Sequence, residues 1–187
     1  MKKLALAVAV LCVSSIALAA DGDKPAPKWS YVEAGYMDFN PDNGLDDNGA
    51  YAGVSFGFLK MIHVFAEYDD IGDYTFWNAG AGWHGLFGDP ADLYAQVQWN
   101  DVKVDTGTND VSDDGYEVAV GARWKILKWL EVMGEVSWAD YSDSGDDTQG
   151  KVGVLFSFLN DHLGVGATYE LGDADVLRGY ARFSWGK

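Results

Sequence analysis

Residues 115–125 read Gly115-Tyr116-Glu117-Val118-Ala119-Val120-Gly121-Ala122-Arg123-Trp124-Lys125. In an extended chain successive side chains point to opposite faces. Tyr116, Val118, Val120, Ala122 and Trp124 therefore share one face, and Glu117, Ala119, Gly121, Arg123 and Lys125 share the other. The first face is apolar throughout and has an aromatic at each end. The second is small, polar or charged. A soluble sandwich also alternates, but it hides its apolar face and wets its polar one. An apolar face ending in aromatics, backed by a face rich in Gly and Glu, describes a closed β-barrel with a greasy outer wall and a polar lumen.

Working outward from this run, ten segments show the same alternation: 29–39, 50–60, 62–69, 74–86, 91–102, 114–126, 129–140, 149–159, 162–171 and 176–186. Most have the roughly 9–11 residues that a tilted strand needs to cross a bilayer. Four connections are tight (59–62, 87–91, 126–129 and 159–162) and five are longer or more polar (40–49, 69–74, 101–113, 140–148 and 171–176). Tight and long connections alternate, as short periplasmic turns and longer outer loops do, and an even strand number brings both chain ends to the periplasmic side. The expected fold is an all-β, antiparallel, up-and-down transmembrane barrel of ten strands, or of eight if residues 60–75 do not cross.

Aromatic residues are sorted along the apolar face. Tyr36, Tyr68, Trp77, Trp99, Tyr116, Trp138 and Tyr169 lie toward the long loops, and Phe58, Trp83, Trp124, Phe158, Phe183 and Trp185 lie toward the tight turns. Aliphatic and small residues fill the middle. A general liking of aromatics for strands predicts no such sorting, whereas amphipathic rings at the two headgroup levels do.

All six Glu (Glu33, Glu67, Glu117, Glu131, Glu135 and Glu170) have inward parity. A charge facing lipid costs several kcal/mol, so parity assigns them to the lumen. The inward bases are Arg123, Lys125, Lys151, Arg178 and Arg182. Counting across hairpins pairs Arg123 with Glu131 and Glu170 with Arg178, and closure of the last strand on the first brings Arg182 toward Glu33. The expectation is a lumen filled by a Glu/Arg network with Asn78, Tyr94, Gln96, Gln98 and Tyr180. A narrow polar pore is the alternative, since ten strands leave more room than eight.

The outer loops are crowded with Asp, including Asp46-Asp47, Asp69-Asp70, Asp113-Asp114 and Asp146-Asp147, with Lys103 as their one base. Asp suits turns, so solvated, mutually repelling loops explain it. Clustered carboxylates also suit divalent cations, although no segment matches an EF-hand loop. His63, His84 and His162 all have inward parity near the tight turns, no His-x-Ser motif occurs, and no Gly-Lys-Ser/Thr follows Gly80 and Gly82. No catalytic, metal or cofactor site is expected.

The N-terminus reads as an export signal over residues 1–20. It has basic Lys2 and Lys3, an apolar stretch from Leu4 to Leu18, and Ala17-Leu18-Ala19 at cleavage spacing. The stretch is too short for a transmembrane helix. Cys12 lies within it, so the exported chain has no thiol for disulfide, metal or nucleophile. Loss of Lys2 and Lys3 deepens the formal charge of −16 by two, which argues against nucleic acid as a partner. Residues 21–28 read as a mobile periplasmic leader and 29–187 as the barrel.

Three stretches, Tyr31-Val32-Glu33-Ala34-Gly35-Tyr36, His63-Val64-Phe65-Ala66-Glu67-Tyr68 and Asn78-Ala79-Gly80-Ala81-Gly82-Trp83, resemble the opening strands of small proteobacterial outer-membrane β-barrels of the OmpA/OmpX-like group. The chain departs from that group in ending Phe183-x-Trp185-Gly186-Lys187, where the insertion signal is usually a terminal aromatic, and in having ten strands rather than eight. The resemblance implies residence in outer-membrane lipid and passage through the barrel-insertion machinery. It implies no single activity, since members are structural, adhesive or small-solute channels. The leading expectation is a structural or interaction role at the cell surface. A narrow channel is second, and an outer-membrane enzyme is a weaker third.

Overall fold

The computed structural model describes residues 26–41, 47–85, 90–107 and 110–186; the expected signal lies outside these residues. Ten strands run in chain order: β1 (Ser30–Pro41), β2 (Asp47–Leu59), β3 (Ile62–Ile71), β4 (Tyr74–His84), β5 (Ala91–Asp105), β6 (Asp110–Leu127), β7 (Leu130–Tyr141), β8 (Gly145–Phe158), β9 (Leu163–Leu171) and β10 (Ala174–Trp185). Each pairs antiparallel with the next, and β1 pairs with β10, closing the ring. Closure leaves no unpaired sheet edge, which is the condition for strands to exist in hydrocarbon. Segment 60–75 does cross, so the eight-strand alternative falls.

The alternation lands as the parity argument requires. Val120 is 57% exposed on the outer wall, while its neighbours Ala119 and Gly121 are buried inside. Aliphatic residues pair across strands on that wall, as in Val97 with Val118 and Val120 with Val136. Toward the acidic end, Tyr68 pairs with Trp77 and Trp99 with Tyr116, so the aromatics meet as a level ring.

The acidic connections are shorter than expected. Only residues 72–73 separate β3 from β4, 142–144 separate β7 from β8, and 172–173 separate β9 from β10. β5 and β6 stay paired out to Asp105 and Asp110. Asp and Gly are poor strand formers alone, on a scale of about 1 kcal/mol. Here the ladder below them is already paired, and Asp70, Asp73, Asp105, Asp143 and Asp146 keep exposed side chains, while Asp69 turns into the lumen.

Two tight turns carry bulges, between Gly57 and Leu59 and between Lys125 and Leu127. The second moves the β6–β7 register, so Glu131 sits opposite Lys125 and Arg123 opposite Met133. A third tight turn is strained. Leu159, Asn160 and Asp161 all have positive φ (48°, 56° and 65°), a region that Asn and Asp tolerate and Leu does not. Replacing Leu159 with glycine is expected to gain about 0.5–1 kcal/mol by removing the Cβ clash, offset in part by greater freedom of the unfolded chain. A higher urea midpoint with unchanged slope would show it.

Candidate functional site

The lumen is the only region where buried polar groups gather among the described residues, and it is built in tiers from the tight-turn mouth to the acidic mouth. The first tier centres on Trp29, just before β1, which has inward parity and is 8% exposed. Its indole lies over the imidazoles of His63 and His84, both at 4.4 Å between ring centroids, with Tyr94 edge-on at 5.3 Å. The indole N–H donates to Asp92 at 2.8 Å. The Arg123 guanidinium sits 4.6 Å from the indole centroid, donates to the Lys28 carbonyl at 2.9 Å, and grips Glu131 at 2.6 and 2.7 Å. The Ser55 hydroxyl donates to the Trp29 carbonyl at 2.7 Å. Lys125 reaches Asp161 of the strained turn at 2.6 Å. Residues 26–28, the described part of the expected leader, enter this mouth, and Pro27 is buried there.

The second tier pairs Arg182 with Glu33 at 2.6 Å, the two lying opposite each other across β1 and β10. The guanidinium stands 3.9 Å from the Tyr31 ring centroid. The Tyr94 hydroxyl donates to Glu135 at 2.7 Å, and a cavity of about 120 Å³ remains beside these groups.

The third tier is a belt of charges. Glu135, Lys151 and Glu170 are register neighbours across β7, β8 and β9, and the Lys151 ammonium lies 3.3 and 3.1 Å from the two carboxylates. Arg178 spans from β10 to β3, where it meets Glu67 at 2.8 Å and Asp69 at 3.0 Å. Glu117 accepts from Gln98 and Asn100 at 2.9 and 3.3 Å. Above the belt a cavity of about 320 Å³ widens toward the acidic mouth.

The structure brings together Arg123 with Glu131 and Arg182 with Glu33. It does not bring Glu170 to Arg178: the β9–β10 register sets Glu170 opposite Val176 and Arg178 opposite Thr168, and each charge takes another partner. His162 is not at a lumen rim. It lies in the turn with its ring 6.4 Å from outward-facing Phe183 and Nδ1 at 2.9 Å from the Ser184 carbonyl oxygen. The outward aromatics Tyr36, Trp77, Trp99 and Phe158 are exposed, whereas Trp124 and Trp185 are half-buried against neighbours on the same wall. Four lumen or mouth groups were not expected: Trp29, Asp69, Asp92 and Asp161. Continuing the inward parity of Glu67 finds Asp69, and that of Tyr94 finds Asp92. Also unexpected is an apolar cluster inside the acidic half, where Met37, Ile71 and Val176 pack together with Phe39 and Phe76 against them.

At the acidic rim, beyond Tyr116, the Asp113 carboxylate accepts from the Ser144 hydroxyl at 2.5 Å and from the backbone N–H groups of Ser144 and Asp143 at 3.0 Å each. These donors, the hydroxyl foremost, hold its pKa below the ordinary aspartate value. A lowered folded-state pKa means a contribution that is complete above the unfolded value and lost as pH falls through the folded one. Acidification below the ordinary aspartate range is expected to loosen the 142–144 turn. Faster amide exchange at Asp143 and Ser144 in that window, relative to its neutral-pH trend, checks it.

A closed ten-stranded ring, apolar outside and charged inside, is the fold of an outer-membrane β-barrel. Among solved structures, the KdgM porin is similar to this chain, with a TM-score of 0.50 and 11% identity over 82% of this chain and 99% of the porin. The N-terminal β-barrel domain of Pseudomonas aeruginosa OprF gives a TM-score of 0.47 and 10% identity over 84% and 100% of the two chains. Acinetobacter baumannii Omp33 gives 0.39 and 12% over 84% and 99%. The likeness is one of fold. No protein-family profile and no curated protein matches the sequence.

Proposed function

We propose that this chain is an exported outer-membrane β-barrel of the OmpA/OmpX-like kind, closed to solute flow, with a structural or interaction role at the cell surface. Its tight turns and both chain ends face the periplasm, and its acidic mouth faces outward. The outward aromatics mark the two headgroup levels and the wall between them meets lipid, reached through the barrel-insertion machinery. The lumen charge network serves to fill and rigidify the barrel. The observation that carries this reading is Trp29: its indole lies across the periplasmic mouth on His63 and His84, latched by Arg123 and Asp92. The placement of His63 and His84 beneath the indole also leaves them poorly placed for hydrolytic chemistry, so the role is read as non-enzymatic.

A second reading, a narrow channel for small polar solutes, draws on one feature. The two lumen cavities share Glu67, Asn78, Gln98, Lys151 and Arg178 as lining, so only this belt divides them. Planar-bilayer recording decides between the two. The intact barrel is expected to show no unitary conductance steps, and steady steps would establish the channel.

A further inference from the structure

Charge is balanced unevenly along the lumen. Toward the tight-turn mouth, three bases each meet an acid, Arg123 with Glu131, Arg182 with Glu33 and Lys125 with Asp161, and the fourth acid, Asp92, is held by the Trp29 indole N–H with His84 at 3.6 Å. In the acidic half, two bases, Lys151 and Arg178, serve five carboxylates, those of Glu67, Asp69, Glu117, Glu135 and Glu170. Glu117 is 7% exposed, and its hydrogen bonds come from neutral groups, the amides of Gln98 and Asn100 and the Ser137 hydroxyl. Asp69 is 4% exposed; Oδ2 meets Arg178, while Oδ1 is buried without a partner. A buried carboxylate without a cation is a costly arrangement that a ligand's positive charge would relieve.

Glu117 and Asp69 both line the cavity of about 320 Å³ that opens at the acidic mouth. That volume lies at the low end of small-molecule sites, about 300–1,000 Å³. Its lining is two-sided: on one part carboxylates and amides, with Lys151 and Arg178 as bases outnumbered by the acids, and on another Met37, Phe39, Ile71, Phe76 and Val176. We propose that this vestibule is a binding site for a small organic ammonium ion, of the size of an arylalkylamine. The ammonium head would sit among Glu117, Asp69 and Glu170, and the apolar body would lie against Phe39 and Phe76. An inorganic cation would leave the apolar wall unused, a neutral aromatic would leave the carboxylates uncompensated, and an anion would be repelled. The site goes beyond the closed-barrel reading and uses it only in that the belt supplies a floor.

The test is calorimetric titration of 2-phenylethylamine into the full chain folded in zwitterionic micelles at neutral pH, with 2-phenylethanol, phenylacetate and empty micelles in parallel. Saturable amine binding at least about tenfold tighter than that of the alcohol, with none of phenylacetate, is expected. The double variant Asp69→Asn, Glu117→Gln is expected to weaken amine binding by about tenfold or more. A second variant leaves the carboxylates in place. Gln149 lines the cavity and its amide donates to Asp147 at 3.0 Å; Gln149→Lys sets a resident ammonium there and is expected to abolish binding. No amine binding, equal binding of amine and alcohol, binding that survives both variants, or full displacement of the amine by equimolar calcium chloride would overturn the proposal. Conductance steps would overturn the closed-barrel reading and leave the binding result standing. Absence of both steps and binding would overturn the site alone.

Discussion

Replacing Arg123 with methionine is expected to destabilise the barrel by about 3–5 kcal/mol, the range for removing one partner of a buried ion pair. Three losses coincide at that position. Glu131 keeps a buried charge without the guanidinium whose Nε and Nη2 both reach its Oε1, the Lys28 carbonyl loses a donor, and the Trp29 indole loses the cation beside it. The double variant Arg123→Met, Glu131→Leu is expected to recover much of the loss, because no stranded charge remains and the site can pack as an apolar one. Urea unfolding in micelles, followed by tryptophan fluorescence, measures both. The single variant should also shift the native emission to the red as Trp29 becomes wetter. A single variant within about 1 kcal/mol of the parent would mean that Arg123 does not latch the mouth.

The second large effect concerns the outer wall. Val120→Arg is expected to cost about 2–4 kcal/mol in a lipid bilayer, whereas Ser112→Arg, on the same face of the same strand, should cost about 0–1 kcal/mol. Both side chains are exposed, so exposure alone does not separate them. Their heights do. Val120 lies midway between Tyr116 and Trp124, and Ser112 lies beyond Tyr116 where the strand has left the aromatic ring. Guanidinium unfolding in phosphatidylcholine vesicles tests the contrast. Equal costs at the two positions would show that the wall between the aromatic rings does not sit in hydrocarbon.

Strand number, face assignment and the height of the aromatics were legible because each depends on a local rule. Glu33, Glu67, Glu117, Glu131, Glu135 and Glu170 all lie on the lumen side, as alternation from any one strand requires. Strand ends were less legible. The Asp-rich segments look like loops one residue at a time, yet pairing carried up from the membrane part of each hairpin keeps β5, β6 and β8 extended beyond the expected limits. The leader was read as mobile from its prolines, while the buried position of Pro27 depends on a mouth that exists only after ten strands have closed.

Sequence by itself determined which side chains face out and which face in, because alternation is a property of an extended chain whatever lies beside it. Tertiary structure alone decided which inward charges meet. A bulge at one turn moved the register opposite Arg123, and Arg178 found Glu67, 111 positions away, only because closure curls β10 round to face β3. Distances across a lumen are set by the circumference of the ring and the offsets accumulated around it, and no single hairpin contains that information.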